Sequence, residues 1–177
     1  HSPYLAAQEF LDMYPPEQIQ EYGNFKDNLL DKPPVYLKEW NEPIGRDNRL
    51  FVPNPLSWSE WQQIMRYVYA QVTQVDTACG KIIDTLDELG LAENTLVIWT
   101  ADHGDAISSF GGHFSKEAML CEELIRIPMA MRWPEHIDPG QVSQQLVSNI
   151  DIAPTILDTA ETGFTGPVDG QSLLGLV

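Results

Sequence analysis

Cysteine is scarce in this chain. Cys79 and Cys121 are its only two thiols among 177 residues. Two cysteines exclude a disulfide framework. Cys79 falls in a helical pattern and Cys121 beside paired glutamates, and both read as small buried hydrophobes. Basic residues are also few. There are 10 Lys and Arg against 26 Asp and Glu, a formal net charge of −16. That field repels nucleic-acid phosphates and anionic membrane surfaces, so neither is an expected partner. Its plainest meaning is solubility. Any anion that binds must therefore meet a lysine or a metal ion set against the global charge. No apolar run reaches membrane-spanning length. No secretory leader is read in these residues, which means little for a chain that opens inside a motif, and there is no internal repeat or low-complexity tract. The chain opens at His1 without a methionine, and it is expected to be a piece of a longer protein.

What is present suits one domain with a real core: 177 residues, 43% of them hydrophobic. Residues 1–56 are rich in proline and aromatics. The spacing allows a short helix from Ala6 to Tyr14, stopped by Pro15-Pro16, and then an irregular segment to Pro55. Ser57-Trp58-Ser59-Glu60 is a capping-box pattern. From there Ile64, Tyr67, Val68, Val72, Val75, Cys79, Ile82, Ile83, Leu86 and Leu89 recur at helical spacing. This predicts one long helix over residues 58–89, stopped by Gly90. A buried strand of a parallel sheet is predicted over Leu96–Thr100. Residues 117–124 suit a short helix, Ile127–Trp133 a second parallel strand, and Gln145–Asn149 an extended piece. Asp151 is expected to cap a last helix, with Pro154 in its first turn.

The chemistry concentrates after the first strand. Thr100-Ala101-Asp102-His103-Gly104 ends an apolar run with a carboxylate, an imidazole and a glycine. In open α/β sheets, sites form just past the carboxyl ends of strands. Asp102 and His103 can converge on one cation, and oxygen-rich donors suit calcium or magnesium. The plainer alternative is a strand-end cap and a locally bonded histidine. Lys116 ends the glycine-rich stretch Gly111-Gly112-His113-Phe114-Ser115. Its ammonium suits tetrahedral oxyanions, although a solvated lysine is the ordinary alternative. Glu122 and Glu123 read as structural, one of them pairing with Arg126 at helical spacing. His136 lies in a polar turn.

Taken in order, these pieces resemble the sulfatase family, within the alkaline-phosphatase-like superfamily. The strand ending in Asp102-His103-Gly104, the glycine loop to Lys116 and Glu122-Glu123-Leu124-Ile125-Arg126-Ile127-Pro128 carry the resemblance. His1-Ser2-Pro3-Tyr4, Arg132-Trp133-Pro134 and Asn149-Ile150-Asp151-Ile152-Ala153-Pro154-Thr155 extend it across nearly the whole chain. The resemblance implies an alkaline-phosphatase-like α/β fold, a largely parallel sheet flanked by helices and incomplete in this chain. Residues 1–177 would be the later portion of a sulfatase catalytic domain. An upstream nucleophile-bearing segment and a downstream small domain would lie outside it.

The resemblance also implies roles. Asp102 and His103 would bind Ca2+, with Mg2+ the lesser candidate. Two further acidic ligands would come from upstream. Lys116 would contact the sulfate, and His1 would sit beside the departing oxygen, where it can protonate it. Relatives carry a histidine where this chain has Phe110; His113 either replaces it as a substrate-binding group or faces solvent. Asp105 occupies a position seldom used as a direct ligand. Sulfatases use a formylglycine made within Cys/Ser-x-Pro/Ala-x-Arg, and no such motif occurs in these residues. That nucleophile is expected upstream. The implied partners are a sulfated small molecule or glycan and the rest of the parent protein. A secreted, periplasmic or lysosomal setting fits the family. Two other readings stay open: a phosphonate monoester or phosphodiester hydrolase of the same superfamily, and a non-catalytic anion-binding module.

Overall fold

The longest element is a 31-residue helix, and its start shows why it forms where it does. Ser57 N donates to Glu60 Oε2 at 2.8 Å and Glu60 N donates to Ser57 Oγ at 3.4 Å. These reciprocal bonds satisfy two backbone donors that helix geometry leaves orphaned. Ser57 Oγ also donates to Glu60 Oε2, at 2.7 Å, and this bond, with that from Ser57 N, holds the exposed Glu60 carboxyl below its ordinary range. The computed structural model describes residues 4–26, 29–34, 56–113, 116 and 120–176. Among the described residues the α-helices are α1 (Gln8–Leu11), α2 (Trp58–Glu88), α3 (Glu122–Ile125) and α4 (Ile152–Thr159), and the strands are β1 (Val97–Thr100) and β2 (Met129–Arg132). The irregular segment expected through Pro55 lies largely outside the described residues. Gly90 adopts φ +66° just past the end of α2, as a helix-stopping glycine does.

The chain divides into two compact units, residues 1–83 with 103–127, and residues 84–102 with 128–177. The first unit buries two apolar clusters. One joins Leu29, Ala106, Cys121 and Leu124, with Phe110 against it. The other joins Leu56 and Trp61, with Phe25, Trp58, Ile64 and Ile107 against them. Trp61 is the largest fully buried side chain described, so α2 is anchored chiefly through its first turns. Arg66 Nε adds a bond to Leu11 O at 3.0 Å, and Tyr14 and Thr73 share a hydroxyl contact at 2.5 Å. Neither cysteine is in a disulfide. Cys121 is buried and Cys79 half-buried, so the expectation of full burial holds for Cys121 alone.

The second unit holds the sheet. β1 and β2 pair antiparallel, Val97 opposite Arg132 and Thr100 opposite Met129. The expectation of a parallel pair is therefore corrected. A parallel pair needs a crossover connection, usually a helix. Among the described residues between the strands, the only helix is the four-residue α3. The apolar run also misled about burial. Trp99 is 46% exposed, because two strands alone cover neither face of a sheet.

α4 is seated differently from expectation as well. Asp151 makes no side-chain cap to α4. Ser148 and Asp151 instead form a capping box over a 3-10 turn, Asn149–Asp151. Asp151 Oδ2 accepts from Ser148 N at 2.8 Å and Oδ1 from Gln171 N at 2.9 Å. Thr155, fully buried, donates to Asp151 O at 2.6 Å and accepts from Leu173 N at 2.9 Å. Replacing Thr155 by the isosteric valine leaves Leu173 N–H and Asp151 O without these bonds at unchanged volume. Thr155→Val is therefore expected to cost about 1–3 kcal/mol in urea denaturation. A change below about 0.5 kcal/mol would show that this buried bridge does not hold α4 to the 173 segment.

Candidate functional site

The candidate ligands sit where β1 gives out. Asp102 is exposed, two residues past Thr100. Its backbone carbonyl and that of Ala101 accept from Asn149 Nδ2, at 3.4 and 3.0 Å. His103 is also exposed, and its Nδ1 lies 2.9 Å from Gly104 O. A carbonyl can only accept, so in this contact the ring donates from Nδ1. A carbonyl holding one ring nitrogen in this way is a common feature of metal-binding imidazoles.

Gly104 is required by close approach. A Cβ placed on it would lie 1.8 Å from Glu123 O, a backbone atom with no room to yield. Gly104 N donates to Leu124 O at 2.8 Å and ties this turn to α3. The following loop is wound tightly. Ser108, Phe110, Gly111 and Gly112 all have positive φ, at 64°, 50°, 74° and 86°. Ser108 N donates to His113 O at 2.8 Å, and Gly111 N donates to Asn24 O at 2.9 Å. His113 is 1% exposed, and its Nδ1 donates to Phe110 O at 2.5 Å. The solvent-facing alternative for His113 is thus corrected: it braces the loop from within. The Lys32 ammonium lies 5.9 Å from the Phe110 ring centre, so the residue in the usual histidine position meets a cation instead.

Lys116 is half-buried. Its positive charge acts on Asp105, whose carboxyl is nevertheless pushed up by burial, the larger effect. Asp105 in turn adds to the burial that pushes the Tyr4 hydroxyl up to about 12. In sequence Asp105 is a carboxylate at a position seldom used as a ligand; its burial and the effect of the Lys116 charge on it mark it as part of the surroundings of Lys116. His1 lies outside the described residues, as do Phe114 and Ser115. Glu122 pairs with Arg126 at 3.3 Å, as expected, and both are exposed. Such a pair contributes about 1 kcal/mol or less. His136 is exposed and stacks on Trp133 at 3.8 Å between ring centres.

A cavity of about 770 Å³ in the first unit is lined by Tyr14, Tyr22, Tyr69, Asn24, Asp105 and Glu123 among others. Among the described residues, no Lys, Arg or His lines it. Two carboxylates in the lining disfavour an anion beside them. Among the described residues, no group of three or more His, Cys, Asp or Glu is placed to hold a metal ion. Asp102 and His103 fit a cation by donor type, but they supply two ligands of the roughly six to eight that calcium takes.

The family model for sulfatases matches residues 1–162. A sulfatase of Formosa agariphila is 30% identical over 177 residues, all of this chain and 34% of that protein. The N-acetylglucosamine-6-O-sulfatase of Bacteroides thetaiotaomicron is 36% identical over 118 residues, 67% of this chain and 21% of that protein. The chain thus spans about a fifth to a third of the length of these relatives. Among solved structures, a protein in complex with its substrate D-glucosamine-2-N,6-O-disulfate matches with a TM-score of 0.81 at 23% identity, over 99% of this chain and 45% of that one. Phosphonate monoester hydrolase from Silicibacter pomeroyi matches with a TM-score of 0.78 at 25% identity, over 98% and 34%. These likenesses give the chain the alkaline-phosphatase-like fold.

The contact at Gly104 is testable by itself. Gly104→Ala is expected to lose about 1–3 kcal/mol or more, because backbone must move to admit the methyl. Gly80→Ala, inside α2 with open space around it, is expected to gain about 0.5–1 kcal/mol. Thermal or urea unfolding of the two variants reads the contrast. Equal stabilities would show that the Gly104 turn is not tightly packed.

Proposed function

This chain belongs to the sulfatase family, and from that premise we propose that the protein carrying it hydrolyses sulfate esters. The observation that supports the reading best is the position of the Asp102-His103 pair just past the end of β1. The ring's Nδ1 is held at Gly104 O, and the imidazole directly follows the Asp102 carboxylate in sequence. In this reading Asp102 and His103 hold Ca2+, with Mg2+ the lesser candidate, and acidic residues outside this chain complete the shell. When bound, the metal supplies positive charge for the sulfate oxygens as negative charge develops on them.

Other groups of this chain act on the substrate directly. Lys116 sets its ammonium against the sulfate, a necessary counterweight in a chain of net charge −16. His1 hands a proton to the departing ester oxygen. His113 acts through the loop that it braces. The nucleophile, a formylglycine, belongs to a segment outside these residues. The substrate is a sulfated small molecule or glycan, in keeping with the sugar sulfate held by one structural neighbour. A second reading, phosphonate monoester hydrolysis, is favoured by the likeness to the Silicibacter pomeroyi enzyme. Both anions are tetrahedral, and Lys116 suits either.

Assay of the full-length protein on aryl sulfate and aryl phosphonate esters decides between them. Faster turnover of the phosphonate would overturn the sulfatase reading. The isolated 177-residue chain is expected to turn over neither. Within the full-length protein, Asp102→Ala is expected to lose both metal and a hundredfold or more in rate. Lys116→Ala is expected to lose rate while metal analysis stays near normal. If Asp102→Ala kept its metal and its rate, Asp102 would be only the end of a strand.

A further inference from the structure

Asp102 is not placed by its own strand alone. One side chain from elsewhere in the second unit, Asn149, bonds to consecutive residues at the end of β1. Its Nδ2 donates to Ala101 O at 3.0 Å and to Asp102 O at 3.4 Å. A carboxamide nitrogen has two hydrogens, so it can serve both carbonyls together. On the other side of the same group, Oδ1 lies 3.5 Å from Thr100 Oγ1. The shorter contact of that hydroxyl is to Pro128 O, at 2.9 Å, which ties the end of β1 to the residue before β2.

Asn149 is itself held. It opens the 3-10 turn closed by the Ser148 and Asp151 capping box. Asp151 is 6% exposed and bonded to Ser148 N and Gln171 N. Thr155 and Leu173 N lock the next layer. Gly170 passes so close that a Cβ on it would lie 2.2 Å from Ile150 O. The turn therefore has almost no freedom to shift, and neither does the amide it presents.

The target of that amide is irregular backbone. Past Thr100 the ladder has ended, so strand pairing no longer fixes the peptide planes of Ala101 and Asp102. Water could satisfy both carbonyls equally well. A rigid amide satisfies them in one orientation only, and the Asp102 peptide plane sets the start of the turn into His103. Loss of the amide should therefore show in the geometry of the ligand more than in global stability.

We infer that Asn149 is a positioning residue for Asp102: its amide fixes the two carbonyls at the end of β1 and thereby the direction in which the Asp102 carboxylate is offered to a metal ion. The inference rests on the reading of Asp102 as a ligand. Its test uses the full-length protein with Asn149→Ala and the near-isosteric Asn149→Asp, which replaces the donor by an acceptor facing two carbonyls. Calcium affinity by chelator competition, kcat and KM on an aryl sulfate, and thermal midpoint are measured for each, with Asp102→Ala alongside.

The expected result is calcium affinity weakened about tenfold or more in both Asn149 variants, the loss of roughly two hydrogen bonds' worth of preorganisation. kcat should fall with KM nearly unchanged, while the thermal midpoint moves only a few degrees. Wild-type calcium affinity and kcat in both variants would overturn the inference while leaving Asp102 as a ligand, provided that Asp102→Ala loses its metal. Metal loss seen only together with unfolding in both variants would overturn it in favour of a purely structural role. If Asp102→Ala itself retained metal and rate, the ligand reading would fall and the role of Asn149 with it.

Discussion

The loop that follows His103 depends on one backbone crossing, where Gly104 passes the carbonyl of Glu123. With a Cβ at 1.8 Å from that oxygen, no other residue fits without moving main chain. The crossing lets Gly104 N bond Leu124 O and brings the start of the loop onto α3. Ala106 and Leu124 can then share one buried cluster with Leu29 and Cys121. The glycine therefore does more than permit a turn after His103. It gives the loop a fixed floor, from which both the His103 ring and the path toward Lys116 take their direction.

Charge imposes the second constraint. A chain with sixteen excess negative charges repels a sulfate ester at long range. Binding of such an anion would have to come from short-range compensation, where a single ammonium or divalent cation in a partly dehydrated setting outweighs a screened global field. The first unit separates the two environments. Its large cavity gathers Asp105 and Glu123 with three tyrosines and, among the described residues, no cation, whereas Lys116 lies after the glycine loop. Asp105 joins them electrostatically, its carboxyl raised by burial and pulled back by Lys116. Surface ion pairs such as Glu122 with Arg126 have little part in this, since both side chains are well solvated.

The sequence was most legible where local chemistry dictates structure. The Ser57 and Glu60 capping box needs only four residues, and the long helix begins there to the residue. Gly90 ends it for an equally local reason. Strand direction is a non-local property: the apolar content of Val97–Thr100 is the same whether its neighbour runs parallel or antiparallel, and β2 proved antiparallel. Burial misled for a related reason. A run such as Val97-Ile98-Trp99 is written for a sheet covered on both faces, and two strands leave Trp99 half open. His113 was ambiguous because a histidine beside two glycines looks solvent-facing in sequence. Only the left-handed winding of Phe110, Gly111 and Gly112 turns it inward. Asp151 looked like a simple cap before a proline-containing helix. Its actual bond to Gln171 N spans 20 residues, a separation that no local pattern reports.

Those long-range bonds bear on how a site of this kind can stay ordered on a short sheet. Two antiparallel strands are marginal as an independent structure. Here the second unit supplements them with side-chain bonds to main chain: Thr100 to Pro128, Asn149 to Ala101 and Asp102, Thr155 to Asp151 and Leu173. Each such bond adds only about 1 kcal/mol net, too little to replace the missing strands in stability. What they supply is direction. Nearly all of them converge on the last residues of β1 or on the turn that carries Asn149, whereas exposed apolar residues such as Leu146 and Val142 are left unsupported. Order in this unit is thus concentrated where a metal-binding carboxylate would need it, and it is thin where a larger fold would supply it from further strands.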